Sequence, residues 1–359
     1  MSSIFIDPAD GSDSPGNGAI GDPYKTTQYA IESETGVSWP VYFNIKSSAA
    51  DVLTGDLKTS MATFHSNNNT NGSDRQVIFR GYDSTENDGG KGILDGDGSY
   101  SIFYDDRSGA DFRHTHFLDL ELRNTGSNDV IRTSHYCTIA RCIIHNCAGT
   151  YGIYTYPYSS VTDCYFYDCD TSYMAFAYNV FGCFCYSFLP NDTSTCIRAR
   201  NGCCNNIMVG DGTAFRGIRA YYDAEVWNNT IISLNNSSSY AIYFDYYRGC
   251  AVNNLIVGFS NGGTGIFGDE PESTYNIVGN SFYNCTTTVG EDGSFNSYDL
   301  QNETLASDPL MRVGDPIYEN RFNYFEPLNV GKVWGGSYPW GCRRDRGAVQ
   351  HKDNVYVVF

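Results

Sequence analysis

Arginine and tyrosine return at a regular spacing through the middle of this chain. The phrases are "VIRTS" (Val130–Ser134), "GIYTY" (Gly152–Tyr156), "YMAFA" (Tyr173–Ala177), "CIRAR" (Cys196–Arg200), "GIRAY" (Gly217–Tyr221), "AIYFD" (Ala241–Asp245) and "GIFGD" (Gly265–Asp269). Each has an apolar lead, namely Ile131, Ile153, Met174, Ile197, Ile218, Ile242 and Ile266, followed by alternating side chains. If each phrase is a strand with its lead inward, the residue after the lead and the one two further on share the outer side. The first outward column is then Arg132, Tyr154, Ala175, Arg198, Arg219, Tyr243 and Phe267. The second is Ser134, Tyr156, Ala177, Arg200, Tyr221, Asp245 and Asp269. Aligning "SIFYD" on Ile102 adds Phe103 and Asp105 upstream.

Rings and guanidinium forks gathered on one face suit a glycan. Aromatic planes stack on sugar rings, and arginine binds carboxylate or sulfate through two parallel hydrogen bonds. The substrate-binding candidates are Arg132, Tyr154, Tyr156, Arg198, Arg200, Arg216 and Tyr243. The bland alternative is arginine stacked between tyrosines of neighbouring strands, balancing Asp245 and Asp269. Two catalytic arrangements are open. Asp245 and Asp269, on adjacent strands, would lie roughly 5 Å apart, the separation of retaining glycosidases. Like charge at that range raises one pKa; Asp223 and Glu270 are alternates. In the other, Arg219 stabilises an enolate while Tyr221 moves the proton, as a uronate lyase requires. Both pairs also read as ordinary surface residues. His114, His116, His135 and His145 have no paired partner in sequence, and only His135, beside Ser134, could reach this face.

The rest of the composition narrows the class. The chain has 359 residues and a formal net charge of -18, and is 41% hydrophobic but only 18% charged. That is too apolar and aromatic for a disordered chain. The acidity argues against a nucleic-acid partner. No run of 18 apolar residues is present, so no membrane insertion is expected. No signal-peptide pattern opens the chain, as expected of a protein exported otherwise or of one whose signal has been removed. Thirteen cysteines is an odd number, and their spacing follows the repeat below, so mostly reduced thiols are expected. "DPADGSD" (Asp7–Asp13) and "LDGDG" (Leu94–Gly98) cluster oxygens that could hold calcium, but read first as turns; no other cofactor is expected.

A second repeated phrase precedes each arginine–tyrosine strand. "CNNIMV", "WNNTII" and "VNNLIV" continue a series whose anchors are Cys142, Cys164, Cys185, Asn206, Asn229, Asn254 and Asn280. The anchors are 21 to 26 residues apart, too close for helical repeats, and the leucine-rich frame is absent. At least two strands per repeat, joined by Gly/Asn/Asp/Ser turns, make a parallel β-helix in which each rung touches only its neighbours. Equivalent residues then lie roughly 4.8 Å apart. An inward asparagine can hydrogen-bond the rungs on both sides and the local backbone.

Both ends bear a likeness to a known family. "IFIDPADGSDSPGNGAIGDPYKTTQYAI" (Ile4–Ile31) resembles the opening segment of pectate-lyase-like right-handed β-helix proteins. In those, an Asp-rich strand and a Gly-rich loop lead to a P-[FY]-K-T turn and a short capping helix, here expected over Thr26–Glu32. "SDPLM" (Ser307–Met311), "FNYFEPLNVG" (Phe322–Gly331) and "RDRGAVQ" (Arg344–Gln350) resemble the closing segment. The superfamily includes polysaccharide lyases, glycoside hydrolases, epimerases, phage tailspikes and non-catalytic virion proteins, so it does not fix an activity. The N-T-D…D-D…G-H-G series of polygalacturonases and the R-x-P-x-x-R of pectate lyases are absent. Lyases of this kind also use calcium.

The expected fold is all-β: a single right-handed parallel β-helix solenoid with a short N-terminal capping helix and a C-terminal β cap. Residues 1–40 form the N-terminal cap, 41–295 the β-helix and 296–359 the C-terminal cap, with a polar loop over His65–Arg75. The expected function is glycan binding by a phage virion or tail protein of tailspike type, with or without depolymerase activity. Its partners would be a polysaccharide or cell-surface glycan, together with virion proteins or two further copies in a homotrimer. The alternatives are a secreted lyase or glycoside hydrolase acting on an acidic polysaccharide, and a non-catalytic structural solenoid. The location is virion or extracellular.

Overall fold

A computed structural model describes residues 1–291 and 303–304, apart from 16–17, 58–59, 63, 65–74, 105–112, 127–128, 188–194, 246–248, 270–274 and 292–302. The His65–Arg75 loop (except Arg75), Asp105, Glu270 and the closing segment from Ser307 onward lie outside the described residues. The chain winds into an all-parallel β-solenoid of about 7 turns. Each full rung has three strands, one more than the repeat phrases suggest. One rung runs through Glu225–Trp227, Thr230–Ser233 and Tyr240–Phe244. The next repeats this as Gly249–Val252, then Leu255–Gly268, which covers the second and third positions. Three sheets result, here called first, second and third in chain order. The extra strands of the first sheet carry no distinctive residue type, which is why the phrases do not reveal them.

The interior is layered by like residues. In the first sheet Phe43, Phe79 and Phe117 stack at 5.2 Å between successive ring centroids, each pair 16° apart. In the third sheet Ile197, Ile218, Ile242 and Ile266 pair in register and are fully buried. Burying each such side chain contributes ~1.5–3 kcal/mol. One end is closed by the helix Thr27–Ser33. Thr26 caps it by accepting a hydrogen bond from the Tyr29 amide, and Ala30 and Ile31 are buried against the core.

The paired asparagines divide two tasks at the turn into the second sheet. Asn205, Asn228 and Asn253 take left-handed backbone (φ 56, 54 and 55), a region asparagine tolerates better than most residues. Asn206, Asn229, Asn254 and Asn280 are fully buried and form a continuous ladder. Asn229 Oδ1 accepts from Asn206 N and Nδ2, both at 3.0 Å. Asn229 Nδ2 donates to Asn254 Oδ1 at 3.0 Å and to Cys203 O at 2.9 Å. Asn254 repeats the pattern with Asn280. The column continues upstream as thiols, but through Cys183, not the expected Cys185. Phe184 pairs with Tyr165 and Ile207, which aligns Cys183 with Cys164 and Asn206. Cys183 N donates to Asn206 Oδ1 at 2.8 Å. Cys185 faces the core two residues later, in register with Met208. The twelve cysteines among the described residues are free, ten of them buried.

Candidate functional site

The third sheet carries the arginine–tyrosine phrases, and its register fixes which side chains meet. The outward column runs Tyr104, Arg132, Tyr154, Phe176, Arg198, Arg219, Tyr243, Phe267. Three of the expected outward members, Ala175, Ala177 and Phe103, point inward instead. Ala175, not Met174, pairs with Ile153 and Ile197, so Ala175 and Ala177 point inward and Phe176 outward. The backbone shifts register just beyond, between Ala177 and Asn179. Upstream, Phe103 pairs with Ile131 and is buried, so Tyr104 holds the outward place given to Phe103.

Alternation and register therefore assemble one interlocked layer. Arg132 lies over Tyr104 and Tyr154, at 5.2 and 4.9 Å from their ring centroids. It donates to Tyr104 Oη at 3.0 Å and Tyr156 Oη at 3.4 Å. Tyr156 is buried against His135 and Tyr154 instead of projecting into solvent. Arg198 sits between Phe176 and Tyr221, at 4.5 and 4.1 Å, and Arg200 covers Phe176 from the same side at 4.9 Å. Tyr243 stacks on Phe267 with planes 4° apart. Arg216 stands two positions before the inward isoleucine and donates Nε to Ser239 Oγ at 2.8 Å.

The acids fall beside this layer. Asp245 and Asp269 follow Phe244 and Gly268 on consecutive rungs, as the spacing required. Their surroundings differ. Asp245 is buried, and its Oδ2 is taken by Arg219 Nε at 2.8 Å and Nη2 at 2.6 Å. Arg219 gives a further hydrogen bond to Tyr173 Oη at 3.1 Å. Asp269 is exposed and accepts from Tyr243 Oη. Arg219 is thus already engaged, which leaves little of its fork for an enolate. Burial and the hydrogen bond with Asp245 raise the Tyr221 phenol above its ordinary value, which keeps it protonated and unsuited to abstracting a proton. Burial also pushes Tyr154 up to about 12. Asp223 is exposed, and Glu270 lies outside the described residues.

No family model matches the sequence, and no curated relative matches it. Among solved structures, the chain is similar to the GH136 lacto-N-biosidase from Eubacterium ramulus, with a TM-score of 0.40 and 11% identity. The match covers 84% of this chain and 68% of that one.

Sequence reading missed several members of the layer. Tyr151 and Tyr173 pair in register and stack at 5.3 Å, and Tyr240 packs on Phe267 at 4.6 Å. They lie two residues before the inward position, where simple alternation predicts burial. Asp129 occupies that same place on the rung of Ile131. It is buried, accepts from the Tyr151 amide at 3.0 Å and lies 3.7 Å from Arg132. Burial raises its carboxyl above the usual range. Following the column of Arg216 in both directions would have found all four.

The oxygen clusters considered for calcium are engaged internally. Asp7 accepts from Lys46 and Ser48, both at 2.7 Å, and from two amides of its own turn. Asp95 accepts from the Asp97 amide, Arg123 and Asn124. Among the described residues, no group of three His, Cys, Asp or Glu side chains is placed to hold a metal. No helix among them is long and apolar enough to cross a membrane.

Proposed function

We propose that the outer face of the third sheet binds a glycan, and that the protein is a carbohydrate-recognition solenoid of the pectate-lyase-like kind. The observation that carries this is the unbroken aromatic–arginine column from Tyr104 to Phe267 on a chain of net charge -18. A stacking surface several rungs long suits a chain of sugar rings better than a single small ligand. The setting we favour is a phage virion or tail, in a receptor-binding or tailspike role. Twelve described cysteines without a disulfide suit folding in a reducing cytosol before release. A secreted lyase or hydrolase would fold where thiols oxidise.

Within this reading, hydrolysis is favoured over elimination. Asp245 and Asp269 hold equivalent places on consecutive rungs, and Asp269 is exposed; Arg219 and Asp245 are committed to each other, so a hydrolase would use Asp269 as its accessible carboxyl group with Asp245 held ionised beside it. A polysaccharide panel tests the reading, with binding, reducing ends and absorbance near 235 nm followed together. Binding lost in Tyr154→Ala and Tyr243→Ala supports the face. New reducing ends without absorbance, abolished in Asp269→Asn, support a hydrolase. Absorbance lost in Arg219→Ala would instead establish a lyase. No binding across the panel would leave the structural solenoid as the better account.

A further inference from the structure

We propose that Arg198 and Arg200 form a subsite for an oxyanion substituent, a carboxylate or sulfate, carried by the glycan; this rests on the glycan-binding reading above. The arginines of this face are not equivalent. Arg132 is answered by Asp129, and Arg219 by Asp245. Arg216 donates to Ser239. Arg198 and Arg200 have no carboxylate or hydrogen-bond partner among the described residues. Their Nε atoms are buried and unpartnered, as is that of Arg132, but Arg132 has Asp129 beside it. Both guanidinium groups rest on the ring of Phe176, which is only 2% exposed beneath them.

That arrangement is costly without a ligand. Two cations on one ring repel each other, and a buried N–H without an acceptor loses its hydration. Acids are not scarce, since the chain has 41 Asp and Glu against 23 Lys and Arg, yet among the described residues none is paired with either arginine. Phe176 below and Tyr221 on the next rung hold Arg198 flat, so its remaining N–H groups are pre-oriented. A planar carboxylate, or two oxygens of a sulfate, matches such a fork. Neutral sugars would then stack on Tyr154 and Tyr243 to either side, while the charged substituent sets the register of the chain.

The test compares matched ligands: oligogalacturonate against its methyl ester, and sulfated against desulfated chondroitin oligosaccharides. Affinities are measured for the intact chain and for Arg198→Gln, Arg200→Gln and Arg198→Lys. We expect one charged ligand to bind at least tenfold tighter than its neutral twin. That preference should be lost in the glutamine variants, with neutral-twin affinity retained. Arg198→Lys keeps the charge but not the fork, and should keep only part of the preference. If a glutamine variant does not fold, Arg198→Lys alone decides. Uronate and sulfate are distinguished by which pair shows the preference. Equal binding of charged and neutral twins, sensitive to Tyr154→Ala, would overturn the anion subsite and leave the glycan face standing. No binding of any ligand would overturn both.

Discussion

At the scale of single residues, the face depends on which arginine answers which acid. Asp245 is the clearest case, because its carboxylate is buried and two Arg219 nitrogens converge on one oxygen. Asp245→Asn removes the charge and leaves Arg219 half-buried without its counter-ion. Breaking such a pair costs more than the pair contributes. We expect a loss of about 1–3 kcal/mol in urea unfolding, whereas Asp269→Asn, exposed and with its carboxylate accepting from Tyr243, should be near neutral for stability. Equal losses would contradict a buried, paired Asp245 beside an exposed Asp269. Most of this column was legible, because isoleucine leads mark the inward side at six of seven rungs. It failed at Met174-Ala175, where two apolar residues adjoin and the larger one is the wrong lead. Side-chain partners were not legible at all. No spacing rule distinguishes the committed Arg219 from Arg198.

At the scale of elements, the turn into the second sheet holds the rungs in register. Its two asparagines make different demands, so their substitutions should separate. Asn229→Leu takes an acceptor from both Asn206 donors and a donor from Asn254, all fully buried. The cost should be on the order of 3 kcal/mol, since each stranded group loses ~1–3 kcal/mol. Asn228→Gly should cost little, because glycine takes the left-handed backbone without strain. Asn228→Val should be clearly worse than Asn228→Gly. Thermal unfolding of the three variants checks the order; an Asn228→Val as stable as Asn228→Gly would refute the backbone account. The ladder itself was readable from three copies of one phrase. Its crossing into thiols was misread by two residues, since Cys183 and Cys185 are chemically identical and only hydrogen bonding separates them.

At the scale of the molecule, acid stability follows from groups whose protonation differs on folding. Burial, with His114 nearby, lowers His116 to about 4 from 6.5. As pH falls, the unfolded chain takes up that proton first, so stability present above 6.5 is lost between 6.5 and about 4. The loss is at most on the order of 3 kcal/mol, at ~1.4 kcal/mol per pKa unit. A hydrogen bond from His145, with Arg123 alongside, holds Glu121 below the usual carboxylate range. Asp119, despite burial, is held low by Arg141 and Lys91. Their stabilisation is full above about 4 and is lost below it. Two steps are therefore expected in a plot of unfolding midpoint against pH, and His116→Phe should remove the upper one. A single step below pH 4 in the intact chain would contradict this assignment.

The solenoid itself was readable from the sequence, because repetition multiplies weak local signals into a period. The first-sheet strand of the later rungs and the inward turn of Tyr156 were not, since both depend on contacts between rungs. The central claim is that the outer face of the third sheet is where a glycan lies. The most direct measurement is hydroxyl-radical footprinting, read by mass spectrometry, with and without the best ligand of the polysaccharide panel. The account predicts protection of Tyr154, Tyr243 and Phe267, with Tyr167 and Tyr283 of the second sheet unchanged. Protection confined to the second sheet, or to no aromatic residue of the column, would contradict it.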